Sequence, residues 1–556
     1  GAAHCRLLLL PLLLGTAAGV DVRVSKGHWT RDYYSVRVSA IGDNANRVQP
    51  PLAYHGQFAQ RWTDKTLDSQ VFQINPHGQT LNIGGQSIPV KLPAPGSGVS
   101  GLLIADPCHS SLGGFGCPNG PRFKIKEKLN AIINQLLGSD EFHFWGMLGD
   151  NFYDVFGKIT SEFFADINNT AKAKPFVTAI GNHDYWQVGS PMNAPGDQYG
   201  WGFMQFYGQD TVAGQGAAPF DFSGSADDHE IPKVENFVFG NVIGDMGIFG
   251  FSGAHDWAST EPHAKAFCDH VGKSPVNTVA VMGHWDEENL GCKPGMNTPI
   301  VWSKMRLMPG CAGKHVLYFD GHQHCNMVTA WGEPMDPAKH PDNATGFMIG
   351  GTGMYGSGCS EFGFAVVNTD PDAKGGANVR VDYFKLSQDM AWGHDDRQIQ
   401  DWFDDILACF KAHGYKGCRE KYATPMRSIP DAFDCSQTRG WERWPAPQKE
   451  WCCERADIGC GGCDSKCDFG RPDTCRKKID WHNFVGGLQD PDGKVLLGER
   501  CYQSMALVLD ECPLCSQCAG QAMQCPTYAR YGTTTKTTTT VATTTTVHTT
   551  TTDKVQ

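Results

Sequence analysis

The sequence has no surplus of positive charge. Lysine and arginine number 47 against 59 aspartates and glutamates, a formal net charge of −12 at pH 7. Proteins that bind nucleic acid or anionic membrane need a basic footprint, so neither is an expected partner. Long apolar runs are also scarce. The run at residues 7–14, within "CRLLLLPLLLGTAAG", is too short to cross a bilayer, and no later stretch is long enough, so no transmembrane segment is expected. With Arg6 before it and small residues after it, the run reads as a signal peptide over residues 1–19, which predicts a secreted protein.

Cysteine, by contrast, is abundant, with 22 in the chain. In a secreted protein these are expected to form disulfides. Removing Cys5 with the signal leaves 21, an odd number that implies one free or intermolecular thiol. Two N-glycosylation sequons, at Asn168 and Asn343, fit the same route.

A chain of 556 residues is too long for one core. Residues 20–98 alternate and are rich in turn formers, which predicts a small β segment closed by the linker "PAPGSG". Residues 99–390 change texture. Short apolar strands such as "GLLIAD", "FHFWGML" and "KPFVTAI" alternate with helical patterns, the first carrying Leu129, Ile132, Ile133 and Leu136 on one face. Strand–helix alternation predicts an α/β domain with parallel strands. "NTVAVM" and "KHVLYF" read as further strands of the same layer, and "TGFMIGG" and "GFAVVN" as closing strands. A helical connector is expected at 391–430, its helix ending near Gly414, then a cysteine-rich module at 431–530. Residues 531–556 are a threonine-rich tail that cannot bury a core.

Five apolar strands end in residues that bind hard or borderline metals. "LLIAD" ends at Asp106, "WGMLGD" at Asp150 with Tyr153 just beyond, and "VTAIGNHD" at Asn182 and His183. "VAVMGHW" ends at His284 and "LYFDGHQH" at His322 and His324. In open α/β sheets the C-terminal strand ends meet at one crevice, so residues far apart in sequence converge. Gly149, Gly181, Gly283 and Gly321 each precede a ligand, where glycine permits a sharp turn and leaves room for an ion or phosphate. A set of Asp, Tyr, Asn and His without thiolate suits iron, manganese or zinc. The donors exceed what one tetrahedral ion needs. Two ions about 3.5–4 Å apart and bridged by a carboxylate would use them all.

This series of motifs resembles the calcineurin-like metallophosphoesterases, and "GDNFYD" with "GNHD" is most similar to their purple, tartrate-resistant acid phosphatase branch. The resemblance implies a metallophosphoesterase-type β-sandwich flanked by helices over residues 99–390. It implies iron(III) held by Asp106, Asp150, Tyr153 and His324, with Asp150 bridging to a second ion, iron(II), zinc or manganese, on Asn182, His284 and His322. His183 would serve as the acid, and a metal-activated hydroxide would attack a phosphomonoester. A tyrosinate far below its usual pKa near 10 needs a strongly acidic metal, which favours iron(III) beside Tyr153. The first motif departs from the branch: "IADPCHS" lacks the glycine before Asp106, and His109 is the fallback ligand. The fourth, "GHWDEE", lacks the usual proline and places two acids near the site. Two other functions fit the same residues. One is a phosphodiesterase or nucleotide hydrolase of the superfamily. The other is a surface-binding protein on a phosphatase scaffold, whose cysteine-rich module contacts extracellular matrix or glycan.

Overall fold

The computed structural model describes residues 20–428 except 44–47, 58–64, 110–121, 155–156, 186–199, 201–202, 204–209, 216–233, 331–332, 335–343, 352–360, 371–377 and 387–395, and beyond them residues 466–468 and 472–474. The expected signal peptide, the sequon at Asn343, the threonine tail and all of the cysteine-rich module but two short strands, Lys466–Asp468 and Pro472–Thr474, lie outside the described residues. The chain divides into two units, residues 1–436 and 437–556. The first unit carries every described element except those two strands.

Its N-terminal part is all β. Strands β1 (Asp21–Ser25), β2 (Ser35–Asp43), β3 (Tyr54–Gln57) and β4 (Lys65–Gln73) form an antiparallel sheet in the order β1-β2-β4-β3. Strands β5 (Gln79–Ile83) and β6 (Gln86–Val90) form a hairpin. Val22, Val24, Val36, Val38, Ile83 and Ile88 share one core, as the alternation predicts. Buried arginines fasten this sheet to a distant segment. Arg23 pairs with Asp210 at 3.1 Å, Ser25 hydrogen-bonds the same carboxylate, and Arg37 donates to the Gly214 carbonyl at 2.5 Å. The expected linker is itself fixed. Gly96 N donates to Gly244 O at 2.9 Å, and Asp245 N donates to Ser97 O at 2.8 Å.

The α/β part is a sandwich of two sheets. One runs β19-β18-β17-β7-β8-β9, from β7 (Ser100–Ile104), β8 (Phe144–Leu148), β9 (Phe176–Ala179), β17 (Phe362–Asp370), β18 (Asn378–Leu386) and β19 (Thr424–Ser428). The other runs β10-β11-β12-β13-β16-β14-β15, from β10 (Phe239–Ile243), β11 (Met246–Gly250), β12 (Thr278–Met282), β13 (His315–Asp320), β14 (Met327–Ala330), β15 (Glu333–Pro334) and β16 (Gly346–Met348). Strands β7-β8-β9 are parallel, as are β11-β12-β13-β16. "NTVAVM", "KHVLYF" and "TGFMIGG" therefore build a second layer, not a continuation of the first. Strands buried on both faces read as unbroken apolar runs in either sheet, so the pattern does not say which sheet they join.

Three cores stack through this body. Leu103, Phe144, Leu148, Ala280, Met282, Leu317, Phe319 and Val367 fill the space between the sheets. Leu102, Ile104, Trp145 and Met147 face the helices on the first sheet, with Leu129, Ile132, Ile133 and Leu136 of helix Ile125–Leu137 all buried against them. Val279, Val281 and Tyr318 face helices Trp257–Val271 and Thr298–Met305 on the second. The expected connector is part of this body. Ile399, Phe403, Ile406 and Phe410 of helix Asp396–Tyr422 join the first outer core, and β19 pairs with β18. Gly414 breaks that helix with φ 66° and ψ 178°, at the predicted position.

Disulfides join Cys268 to Cys311 and Cys409 to Cys418, and Cys108 and Cys325 are also disulfide-bonded. Cys292 is free among the described residues. No described helix is long and apolar enough to cross a membrane.

Candidate metal centre

The parallel strands of both sheets end at one edge of the sandwich, and the site forms there. Asp106 lies two residues past β7, Asp150 two past β8, Asn182 three past β9, His284 two past β12 and His322 two past β13. Asp106, Asp150, His322 and His324 all have left-handed backbones, with φ 44°, 49°, 73° and 55°. Each such non-glycine residue costs energy and persists only where surroundings enforce it, a pattern concentrated at functional sites.

At two of these turns glycine makes room for a neighbouring candidate ligand. Gly149 has φ +91°, and a Cβ there would lie 2.5 Å from the His284 ring. A Cβ on Gly181 would lie 2.2 Å from Asp150 Oδ1.

Asp150 sits at the centre and is 1% exposed. Its two oxygens face different partners. Oδ1 lies 3.4 Å from His284 Nε2 and accepts the His183 main-chain N–H at 2.7 Å. Oδ2 accepts the Tyr153 hydroxyl at 3.4 Å. Burial raises the Asp150 pKa, but His284, His183 and that amide outweigh it and hold the carboxyl below its ordinary value. Asp106 is also buried. Its Oδ2 accepts the His322 N–H at 2.9 Å, while Oδ1 has no hydrogen bond and lies 3.3 Å from His324 Nε2. Donor atoms of Asp106, Asp150 and His284 all fall within 4.8 Å of one another, the spacing of a shared cation.

The histidine tautomers sharpen this picture. His284 Nδ1 lies 2.9 Å from the Leu148 carbonyl, which only accepts, so Nδ1 carries the proton and Nε2 is bare. Nε2 meets Asn182 Oδ1 at 3.0 Å and His322 Nδ1 at 3.1 Å. His322 Nε2 lies 2.6 Å from Asn289 Oδ1, so it too holds its proton away from the centre. Three lone-pair atoms thus face one another with no proton between them, an arrangement that suits a cation. Burial and His284 push the His322 pKa down to about 3, keeping its ring neutral.

Tyr153 is fully buried. Burial, then the carboxylates Asp150, Asp106 and Asp184, push its phenol well above 10. In this surrounding only a strong cation would hold it as phenolate. His183 is half-buried with its ring 4.8 Å from that of Tyr153.

All eight predicted site residues gather at this edge. His109 does not join them. Its ring packs 5.1 Å from Phe163 and 5.8 Å from Phe152, and only its carbonyl reaches the site, accepting Tyr153 N–H at 2.9 Å. Burial pushes its pKa down to about 3. Asp106 reaches the same cluster as Asp150 and His284 although no glycine precedes it.

Several residues with roles were not singled out from the sequence. Asp184, the last residue of "GNHD", accepts from Gly181 N at 2.7 Å and Asn151 N at 2.9 Å, tying two ligand loops together. Burial, then Asp150, raise its pKa well above the ordinary value. Asp320 is buried with both oxygens unbonded, and burial, then Asp286 and Asp106, push it up. Burial and Glu287 push Asp286 up to about 7. Asn289 meets His322, and Glu287 meets Asn289 and Gln323. The acids of "GHWDEE" hinted at this wall, but spacing alone gives no partner to either.

No family model and no curated protein matches the chain. Among solved structures it is similar to a purple acid phosphatase from yellow lupin (Lupinus luteus) seeds, with TM-score 0.42 and 14% identity over 68% of this chain and 73% of that one. It is also similar to PhoD, with TM-score 0.36 and 9% identity over 70% of this chain and 98% of that one. A third is a 5'-nucleotidase from Candida albicans, with TM-score 0.28 and 14% identity over 56% of this chain and 58% of that one.

Proposed function

We propose that the chain is a metal-dependent phosphoric ester hydrolase of the calcineurin-like kind, a dinuclear acid phosphatase acting on phosphomonoesters. The observation that carries this reading is the division of Asp150, one oxygen toward His284 and the other toward Tyr153, at the junction of two donor sets. Asp106, Tyr153 and His324 would hold one ion. Asn182, His284 and His322 would hold the other, with Asp150 shared. When bound, such ions acidify water and neutralise phosphate oxygens.

The chain's own residues do the rest. The Leu148 carbonyl fixes which nitrogen of His284 is bare. Asp184 braces the loop bearing Asn182 and His183 against the loop bearing Asp150. The His183 main chain is pinned to Asp150, leaving its imidazole to give a proton to the departing ester oxygen. Tyr153 supports iron(III) over zinc at the first ion, because burial among carboxylates opposes its ionisation by anything weaker. A secretory destination is part of the proposal. It is supported by the short N-terminal apolar run and by the disulfides Cys268–Cys311 and Cys409–Cys418, which need an oxidising compartment. The sequon at Asn168 lies exposed at the start of a short helix.

The test is to express the full chain through a secretory host, count metals by elemental analysis and record the visible spectrum. Two metals per chain, iron among them, a purple band lost in Tyr153→Phe, and turnover of an aryl phosphomonoester are expected. Protein without metal or turnover would overturn the reading. Turnover of diesters alone would replace it with the phosphodiesterase.

A further inference from the structure

Outside the ligand set, the loop 286–295 carries a chain of polar contacts that ends on His322. Asn289 Oδ1 lies 2.6 Å from His322 Nε2. Its amide nitrogen donates to Glu287 Oε1, which also accepts from Gln323 Nε2 at 2.8 Å. Because Glu287 can only accept, it fixes which end of the Asn289 amide is which. The oxygen must then face His322, and an oxygen there requires the His322 proton on Nε2. Nδ1 is left bare, 3.1 Å from His284 Nε2.

The loop itself is held still. Gly295 N donates to Glu288 Oε1 at 2.6 Å, Lys304 Nζ to the Gly295 carbonyl at 2.9 Å, and Lys293 N to the Gly253 carbonyl at 2.8 Å. Cys292 N closes it on the Asn289 carbonyl at 2.8 Å.

We infer that Asn289 is a positioning residue, oriented by Glu287, that selects the His322 tautomer able to bind metal through Nδ1. This rests on the proposed metal site. A carboxylate polarised toward an amide, and an amide toward an imidazole, also raises the basicity of the coordinating nitrogen. Glu287 acts through Asn289 and touches no ligand directly.

The experiment compares wild type with Asn289→Leu, Asn289→Asp and Glu287→Gln in the full chain. The metal-free proteins, labelled with 15N-histidine, are read for the His322 tautomer by long-range 15N–1H correlation, the signal being assigned by its loss in His322→Ala. The same proteins are titrated with Zn2+ and Mn2+ alone against a competing chelator. Wild type is expected to show a single tautomer protonated on Nε2. Asn289→Leu should lose that preference and bind the weaker of two ions about 10–100-fold less tightly. Asn289→Asp keeps an acceptor facing His322 but loses the N–H given to Glu287, so it should keep the Nε2-protonated tautomer and lose less affinity than Asn289→Leu. Glu287→Gln should fall between. Unchanged tautomer and affinity in Asn289→Leu, or equal losses in Asn289→Asp, would overturn the inference. The tautomer is read without metal, so a wild type that binds none refutes the proposed site while the Asn289 role is still decided by the spectrum.

Discussion

Gly181→Ala adds one methyl group to the tightest point of the site. The new Cβ would stand 2.2 Å from Asp150 Oδ1 and 2.3 Å from Asp150 N. Ordinary contacts to carbon begin near 3.4 Å, so one group must move by roughly 1 Å. Gly181 cannot yield easily, because its N–H is bonded to the buried Asp184 carboxylate at 2.7 Å. Asp150 must therefore rotate or shift, and with it both faces of the shared carboxylate. A displacement of about 1 Å at reacting groups costs on the order of 100-fold in rate, close to 3 kcal/mol of barrier. The expected outcome is a folded protein with turnover of an aryl phosphate lowered about 100-fold and at least one metal lost. Circular dichroism and thermal melting establish that the fold survives, and elemental analysis reports the metals. Wild-type turnover with full metal content would refute the claim that Asp150 is held where the structure places it.

Two further outcomes follow from the buried groups. His109 falls from an unfolded pKa near 6.5 to about 3, so folding excludes its proton. No penalty exists above pH 6.5; it grows as the pH falls below that value and is complete below about 3. At pH 5 it amounts to about 2 kcal/mol, so His109→Leu should gain that much stability over wild type between pH 8 and pH 5, read from denaturant melts at each pH. An equal difference at both values would mean the ring is charged or solvated in the fold. Removing the Cys268–Cys311 bridge with paired Ala substitutions opens a loop of 43 residues and should cost about 4 kcal/mol. A melting temperature unchanged within about a degree would show that the bridge constrains nothing.

The candidate ligands were legible because each follows a short apolar run, the texture of a strand buried on both faces. That rule placed Asp106, Asp150, Asn182, His284, His322 and His324 at strand ends without knowledge of the sheets. The same uniformity hid the division into layers, since "NTVAVM" and "GLLIAD" look alike from either side. Helix Ile125–Leu137 was readable from its spacing. The integration of helix Asp396–Tyr422 was not, because an amphipathic face does not name what covers it. Asn289 and Asp184 act through single hydrogen bonds made across loops, and no periodicity records such contacts. The glycines were expected to leave room for an ion or phosphate; the groups that crowd Gly149 and Gly181, a histidine ring and a carboxylate, came only from the structure.

The fastening of Arg23 and Arg37 to Asp210 and Gly214 spans 187 and 177 positions of chain. Synthesis therefore delivers the first sheet long before its partner exists, and two buried guanidinium groups must wait for the Asp210 carboxylate and the Gly214 carbonyl. Until residue 214 has left the ribosome, the first strands lack their full complement of contacts. A shortened version beginning at Val99 would accordingly strip the anchor from Asp210 and Gly214. The stretch that resembles a detachable preface is, in mechanical terms, the fixed end to which Asp210 and Gly214 are tied.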